Sequence, residues 1–182
     1  MPAHKKVRCV CNGEPSNKNM MIFGHTFTKM LDYMNTRTFW AIVALKKDLV
    51  WGADASYTFA EADPPKIPLY VCVNTPFNEW YQQWYNKQIP EGYVLPVKRA
   101  LRGHQQAQRS WGKVVDRIMR NKIKLTSTTH EPCLYYGVFK GKQVLFLRQV
   151  DDFAVAAKDN TACQEVIKAI NNELSIDIKD LG

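Results

Sequence analysis

Three aspartates carry the strongest sign of chemistry in this 182-residue chain. Asp151 and Asp152 stand side by side in FLRQVDDFAVAA, residues 146–157, between Val144–Leu147 and the run from Phe153 to Ala157. Adjacent carboxylates repel one another, and apolar neighbours do nothing to relieve them. Two readings are open. Aspartate is a turn former, so the pair fits a solvated turn. Alternatively a divalent cation offsets the repulsion, and hard carboxylate oxygens suit Mg²⁺. The second reading requires another acid elsewhere in the chain. Asp54, in LVWGADASYTFAEAD, is the best candidate, because it ends a short apolar strand where a side chain can emerge at a sheet edge. Glu61 and Asp63 lie in the stretch leading to the prolines and read as solvent-facing. A strand ending in Asp, far upstream of a hairpin tipped by Asp-Asp, is the arrangement of a two-metal phosphoryl-transfer site.

The elements that must hold these residues follow from periodicity. Residues 7–11 read as a short strand, 12–19 as a polar loop and 49–54 as another short strand. From Met30 to Lys47 the apolar residues recur at helical spacing. Three prolines between Asp63 and Pro68 break any regular element, and 69–74 reads as a strand. Trp111, Val114, Val115, Ile118 and Met119 form one apolar stripe of a helix whose other face carries Lys113, Asp116, Arg117 and Arg120. Residues 134–139 and 143–150 read as strands across a hairpin-sized loop, Lys140–Lys142. A second hairpin turns at the aspartates and returns through 153–157. Thr161 with Gln164 fits a capping box opening a helix through Leu174, with Ala162, Ile167, Ile170 and Leu174 inward. The expected fold is α+β, an antiparallel sheet backed by helices on one face.

Composition narrows the function classes. Hydrophobic residues make up 46% and charged residues 23%, as in ordinary globular chains. No apolar run approaches the ~20 residues of a membrane span, and the N-terminus lacks a secretory h-region. Five scattered cysteines read as reduced thiols, so an intracellular protein with no membrane partner is expected. Zinc is not expected, because neither His130 with Cys133 nor Cys9 with Cys11 has a second pair at ligand spacing. The formal net charge of +8 favours a polyanionic partner, most commonly nucleic acid. In FNEWYQQWY, residues 77–85, five aromatics share a helical face; packing on a core is the preferred reading over stacking on bases.

Together these blocks resemble the reverse transcriptases of copia-type LTR retrotransposons. QVDD at 149–152 resembles the family's x-Val-Asp-Asp motif, and DASYTF at 54–59 its aspartate followed five residues later by an aromatic. KRALRGHQQAQRSW, residues 98–111, is similar to a third block in Ala100, Leu101, Gly103, Gln106, Ala107, Arg109 and Trp111. HEPCLY at 130–135, KVRCV at 6–10 and the terminal IKDLG resemble three more, in the same order along the chain. The resemblance implies a polymerase palm, approximately 48–67 and 99–182, and partial fingers, approximately 1–47 and 68–98, without thumb or RNase H.

The resemblance also implies site roles. Asp54, Asp151 and Asp152 would hold two Mg²⁺ ions, with Mn²⁺ a possible substitute. Lys6 and Arg8 would neutralise the incoming deoxynucleoside triphosphate, Gln106 would lie against nucleotide and template, and Phe59 would form the sugar floor. Solvated terminal charges, a helix-start residue and a core aromatic are the alternatives for these four positions. An RNA or DNA template with its primer would be the partner. Gln149 and Gln108 depart from the family pattern without removing a metal ligand. The opening fingers strand and the segment after Asp-Leu-Gly are missing, so a catalytically inactive nucleic-acid-binding remnant is the alternative function. A different two-metal enzyme, such as a nucleotide cyclase, would leave Lys6, Arg8 and the Gln106 block without a counterpart.

Overall fold

Alternation of small apolar residues decides the centre of the fold. A computed structural model describes residues 28, 30–56, 58–65, 68–104, 106–174 and 176–180. The expected strand at 7–11 and loop at 12–19 lie outside the described residues. In chain order the elements are α1 (Tyr33–Lys46), β1 (Leu49–Ala55), α2 (Thr58–Glu61), β2 (Tyr70–Cys72) and α3 (Thr75–Tyr85). Then come β3 (Val94–Pro96), α4 (Ala107–Ile118), a π-helical turn (Met119–Ile123), β4 (Thr126–Ser127) and β5 (Leu134–Phe139). The described chain closes with β6 (Lys142–Gln149), β7 (Asp152–Ala157), α5 (Asn160–Asn171) and β8 (Ile176–Asp180). Six strands form one sheet in the order β4-β5-β6-β7-β1-β8, antiparallel at every step. β2 and β3 pair separately.

The β5–β6 hairpin turns on two residues, Lys140 at φ 49° and Gly141 at φ 81°. Two positive φ values in succession match the right-handed twist of the flanking strands. The β6–β7 hairpin also turns on two residues, but they are Val150 and Asp151, because Gln149 pairs with Asp152. Asp152 therefore belongs to the strand rather than to the turn expected at both aspartates.

Side chains of β7 alternate between two cores. Phe153, Val155 and Ala157 pack with Trp111, Val114, Val115 and Ile118 of α4 and with Val166, Ile167 and Ile170 of α5. Ala154 and Ala156 face the other way, toward Phe39 and Val43 of α1, with Val50, Leu134 and Leu147. Helices thus cover both faces of the sheet, and the expectation of one backed face is corrected. The short side chains of β7 make this possible, since alanine lets a helix approach either surface closely. Every member of the α4 stripe is buried, and each such side chain contributes ~1.5–3 kcal/mol.

Two further expectations change. The cap of α5 is Asp159, whose carboxylate accepts from the Ala162 N–H at 2.8 Å, so Thr161 lies inside the helix. None of α3 is buried, and Trp84 is 71% exposed. Its aromatics pack on one another, as in the Tyr81–Tyr85 pair with centroids 4.7 Å apart. The stripe is a surface feature rather than core.

Candidate functional site

β1 and β7 carry the acidic residues to one end of the sheet. Their register sets Asp54 directly opposite Asp152. Directly opposed residues of an antiparallel pair share a face, with Cβ atoms about 4.5–5.5 Å apart. Alternation assigns that face to the α1 side, shared with Val50 on β1 and with Ala154 and Ala156 on β7. Asp54 and Asp151 are half-buried, and Asp152 is exposed. Like charges directly opposite each other destabilise a strand pair, so the arrangement works against the sheet that contains it. On the far side of β1 the register places Asp177 opposite Asp54, a position not singled out from the sequence.

The turn beside these acids is held from two directions. The Ala55 N–H donates to the Asp151 carbonyl at 2.9 Å, joining the turn to β1. From α4, the Trp111 indole N–H donates to the Val150 carbonyl at 2.6 Å, and its ring stacks on Phe153 at 6.3 Å between centroids. Val150 sits at φ 57°, where a β-branched residue is rarely found. Such a conformation costs of order 1–3 kcal/mol and persists only where the surroundings enforce it. Trp111 and Ala55 are the enforcing contacts.

Among the described residues, no three His, Cys, Asp or Glu side chains are gathered closely enough to hold one metal ion. Mg²⁺ nevertheless binds commonly through one or two carboxylates plus substrate phosphates. The same-face pair Asp54 and Asp152, with Asp151 adjoining, fits that donor set.

The remaining expected residues are less tightly grouped. Phe59 lies on α2, directly after β1, half-buried against the core formed with α4 and α5. By alternation that is the opposite side of the sheet from Asp54. Gln106 is the residue before α4; its N–H meets His104 Nδ1 at 3.4 Å, and its carbonyl accepts from Ser110 N–H. Burial holds the His104 imidazole below its ordinary value. Lys6 and Arg8 lie outside the described residues.

One charged residue escaped the sequence reading altogether. Arg148 is only 7% exposed and sits on the α4 face of β6, level with Val144 and Phe146. A period-two reading carries that signal, because 144, 146 and 148 share a face and two of them are core.

In comparisons with known proteins, no family, curated protein or solved structure matches the chain.

Proposed function

We propose that the chain is the fingers–palm region of a copia-type RNA-directed DNA polymerase, extending a primer 3′-hydroxyl with deoxynucleotides on an RNA or DNA template. The observation that carries this reading is the register of Asp54 opposite Asp152, with Asp151 in the adjoining turn. Two strands far apart in sequence set two of the acids singled out by motif order opposite each other, and the third adjoins in the turn. Two divalent ions held by Asp54, Asp151 and Asp152 would supply charge neutralisation at the attacking and leaving oxygens. The chain's own part is to supply Asp54 and Asp152 as anchored oxygen donors and to fix the turn that carries Asp151. Trp111 and Ala55 do the fixing, so the donors are set before substrate arrives. Lys6 and Arg8 serve as triphosphate cations and Gln106 as a nucleotide contact; Phe59 packs on the core behind Asp54, and its role as the sugar floor rests on the resemblance alone.

The test is primer extension on an RNA template with Mg²⁺, comparing the chain with Asp54→Asn, Asp151→Asn and Asp152→Asn. Extension by the parent and background incorporation by all three variants is the expected result. Extension that survives any one substitution overturns that residue's role. A second reading, a nucleic-acid-binding remnant without catalysis, draws on the net charge of +8, which suits a polyanion with or without a working metal site. It predicts duplex binding with no extension by the parent.

A further inference from the structure

A second site lies on the opposite side of the sheet, away from the face shared by Asp54 and Asp152. A cavity of about 700 Å³ opens between α4 and the strands β5 and β6. Five cations line it, namely Arg109, Lys113, Arg117, Arg120 and Arg148, against one lining carboxylate, Asp116, while Arg117 also pairs with Asp63 at 3.4 Å. Asp116 is already engaged, accepting from Arg120 at 2.8 Å and from the Tyr135 hydroxyl at 3.1 Å.

Arg148 is the unusual member. Its guanidinium is buried at the inner wall, and Nε has no hydrogen-bond partner among the described residues. Among the described residues its Nη2 donates to the Cys133 sulfur alone, at 3.4 Å. Burial pushes that thiol's pKa up, so Cys133 remains neutral and is no counter-ion. The nearby Glu131 is buried too, but its oxygens accept from the N–H groups of Asp32 and Cys133 and from the Asn35 amide. Gly112 leaves the guanidinium room to lie against α4, since a methyl group there would stand 3.1 Å from Nη1. The guanidinium therefore has no direct carboxylate contact among the described residues, and a buried charge costs several kcal/mol unless it is compensated.

The outer wall repeats the charge along the helix axis. Arg109, Lys113 and Arg117 recur every fourth residue of α4, a row ~12 Å long. A row of that length can face more than one phosphate of a single strand. Guanidinium groups suit phosphate oxygens through their forked donors. A membrane surface is a poorer match, because none of the exposed large apolar side chains lines this cavity.

We infer that this α4 cavity binds the phosphate backbone of a polynucleotide, with Arg148 as its buried anchor and the α4 cations as the outer contacts. The site does not depend on the polymerase reading, since it lies on the other face of the sheet and requires neither metal nor nucleotide triphosphate.

The test is fluorescence anisotropy of a labelled single-stranded 20-mer, titrated with the full chain in EDTA from roughly 50 to 200 mM KCl. Lys113→Ala is expected to weaken binding several-fold at low salt and to lower the salt slope by about one. Arg148→Leu should do the same while leaving the melting temperature unchanged or higher. If Arg148→Leu does not fold, the exposed Lys113→Ala carries the test alone. Lys46→Ala, outside the cavity, should bind as the parent does. Parent-like affinity in Lys113→Ala, or equal weakening by Lys46→Ala, overturns the site. Two other outcomes overturn the polynucleotide assignment in favour of another ligand. One is thermal stabilisation by inorganic phosphate that needs Arg148 while oligonucleotide affinity does not. The other is Lys113-dependent binding to phosphatidylserine vesicles with oligonucleotide affinity unchanged.

Discussion

Two aromatic residues near the acids allow packing and proposed role to be tested separately in one side chain. Phe59 packs on the core beyond the end of β1, yet the resemblance gives it the sugar floor. Phe59→Val is therefore expected to lower stability by ~1–3 kcal/mol, from lost burial and a residual cavity, measured by denaturant unfolding. In a chain extended far enough to polymerise, the same variant should raise ribonucleotide incorporation, because a bulky ring excludes the 2′-hydroxyl by contact. A stability loss with an unchanged ribo/deoxy ratio would leave Phe59 as core alone. Trp111 makes the sharper case. Trp111→Phe keeps an aromatic ring against Phe153 but removes the donor to the Val150 carbonyl. The expected cost is about 1–2 kcal/mol in chemical denaturation, since a partly buried acceptor loses its partner. A neutral result would mean that Ala55 alone holds the turn.

At the scale of elements, the start of α5 links charge to stability. The Asp159 carboxylate is held below its ordinary value, first by the hydrogen bond from Lys142 and then by the Ala162 N–H. A depressed carboxylate stabilises the fold fully above its unfolded pKa, and that contribution fades as pH falls through the folded one. Asp159→Asn keeps a capping oxygen but drops the charge. It should unfold more readily than the parent at neutral pH, and the two should converge once the medium is more acidic than the carboxylate range. A gap that persists in acid would assign the effect to geometry. The elements also mark how far the sequence could be read. The α4 stripe and the Lys140–Gly141 hairpin were legible because burial period and turn chemistry agree there. Asp159 was missed because Thr161 and Gln164 offered a capping pattern two residues later. The α3 aromatics repeat at the spacing of a core helix, and spacing alone does not say what a face meets. Helices on both faces were missed for a related reason, since alanine at 154 and 156 carries little hydrophobic signal. The turn residues shifted because nothing local marks Val150 for a left-handed backbone. Arg148 was hidden by its charge, although its parity placed it with Phe146.

Over the whole molecule, a net charge of +8 is the most general property, and its consequence is ionic. Affinity for a primer–template duplex should fall steeply with salt, with a slope in log–log form of about −0.9 for each phosphate neutralised. A flat dependence would mean that the surplus serves solubility only. The convergence of Asp54 with the hairpin aspartates at one end of a sheet was expected from the sequence, whereas the register that sets Asp54 opposite Asp152 was not, because register belongs to the folded sheet. That register has a kinetic side. β5, β6 and β7 join through two-residue turns, so their pairing is local and quick. β1 must enter between β7 and β8, and Asp54 lies about a hundred residues from Asp152 along the chain. Closing so long a loop is entropically costly and is rewarded only once the strand docks. β1, one strand in from the β8 edge, is thus expected to join late, with β8 entering alongside or after it, and until then the hairpin of 142–157 presents an open edge. During synthesis β1 leaves the ribosome first and has to wait for its neighbours. The interval in which it waits, rather than the finished sheet, is where this chain is most exposed to aggregation.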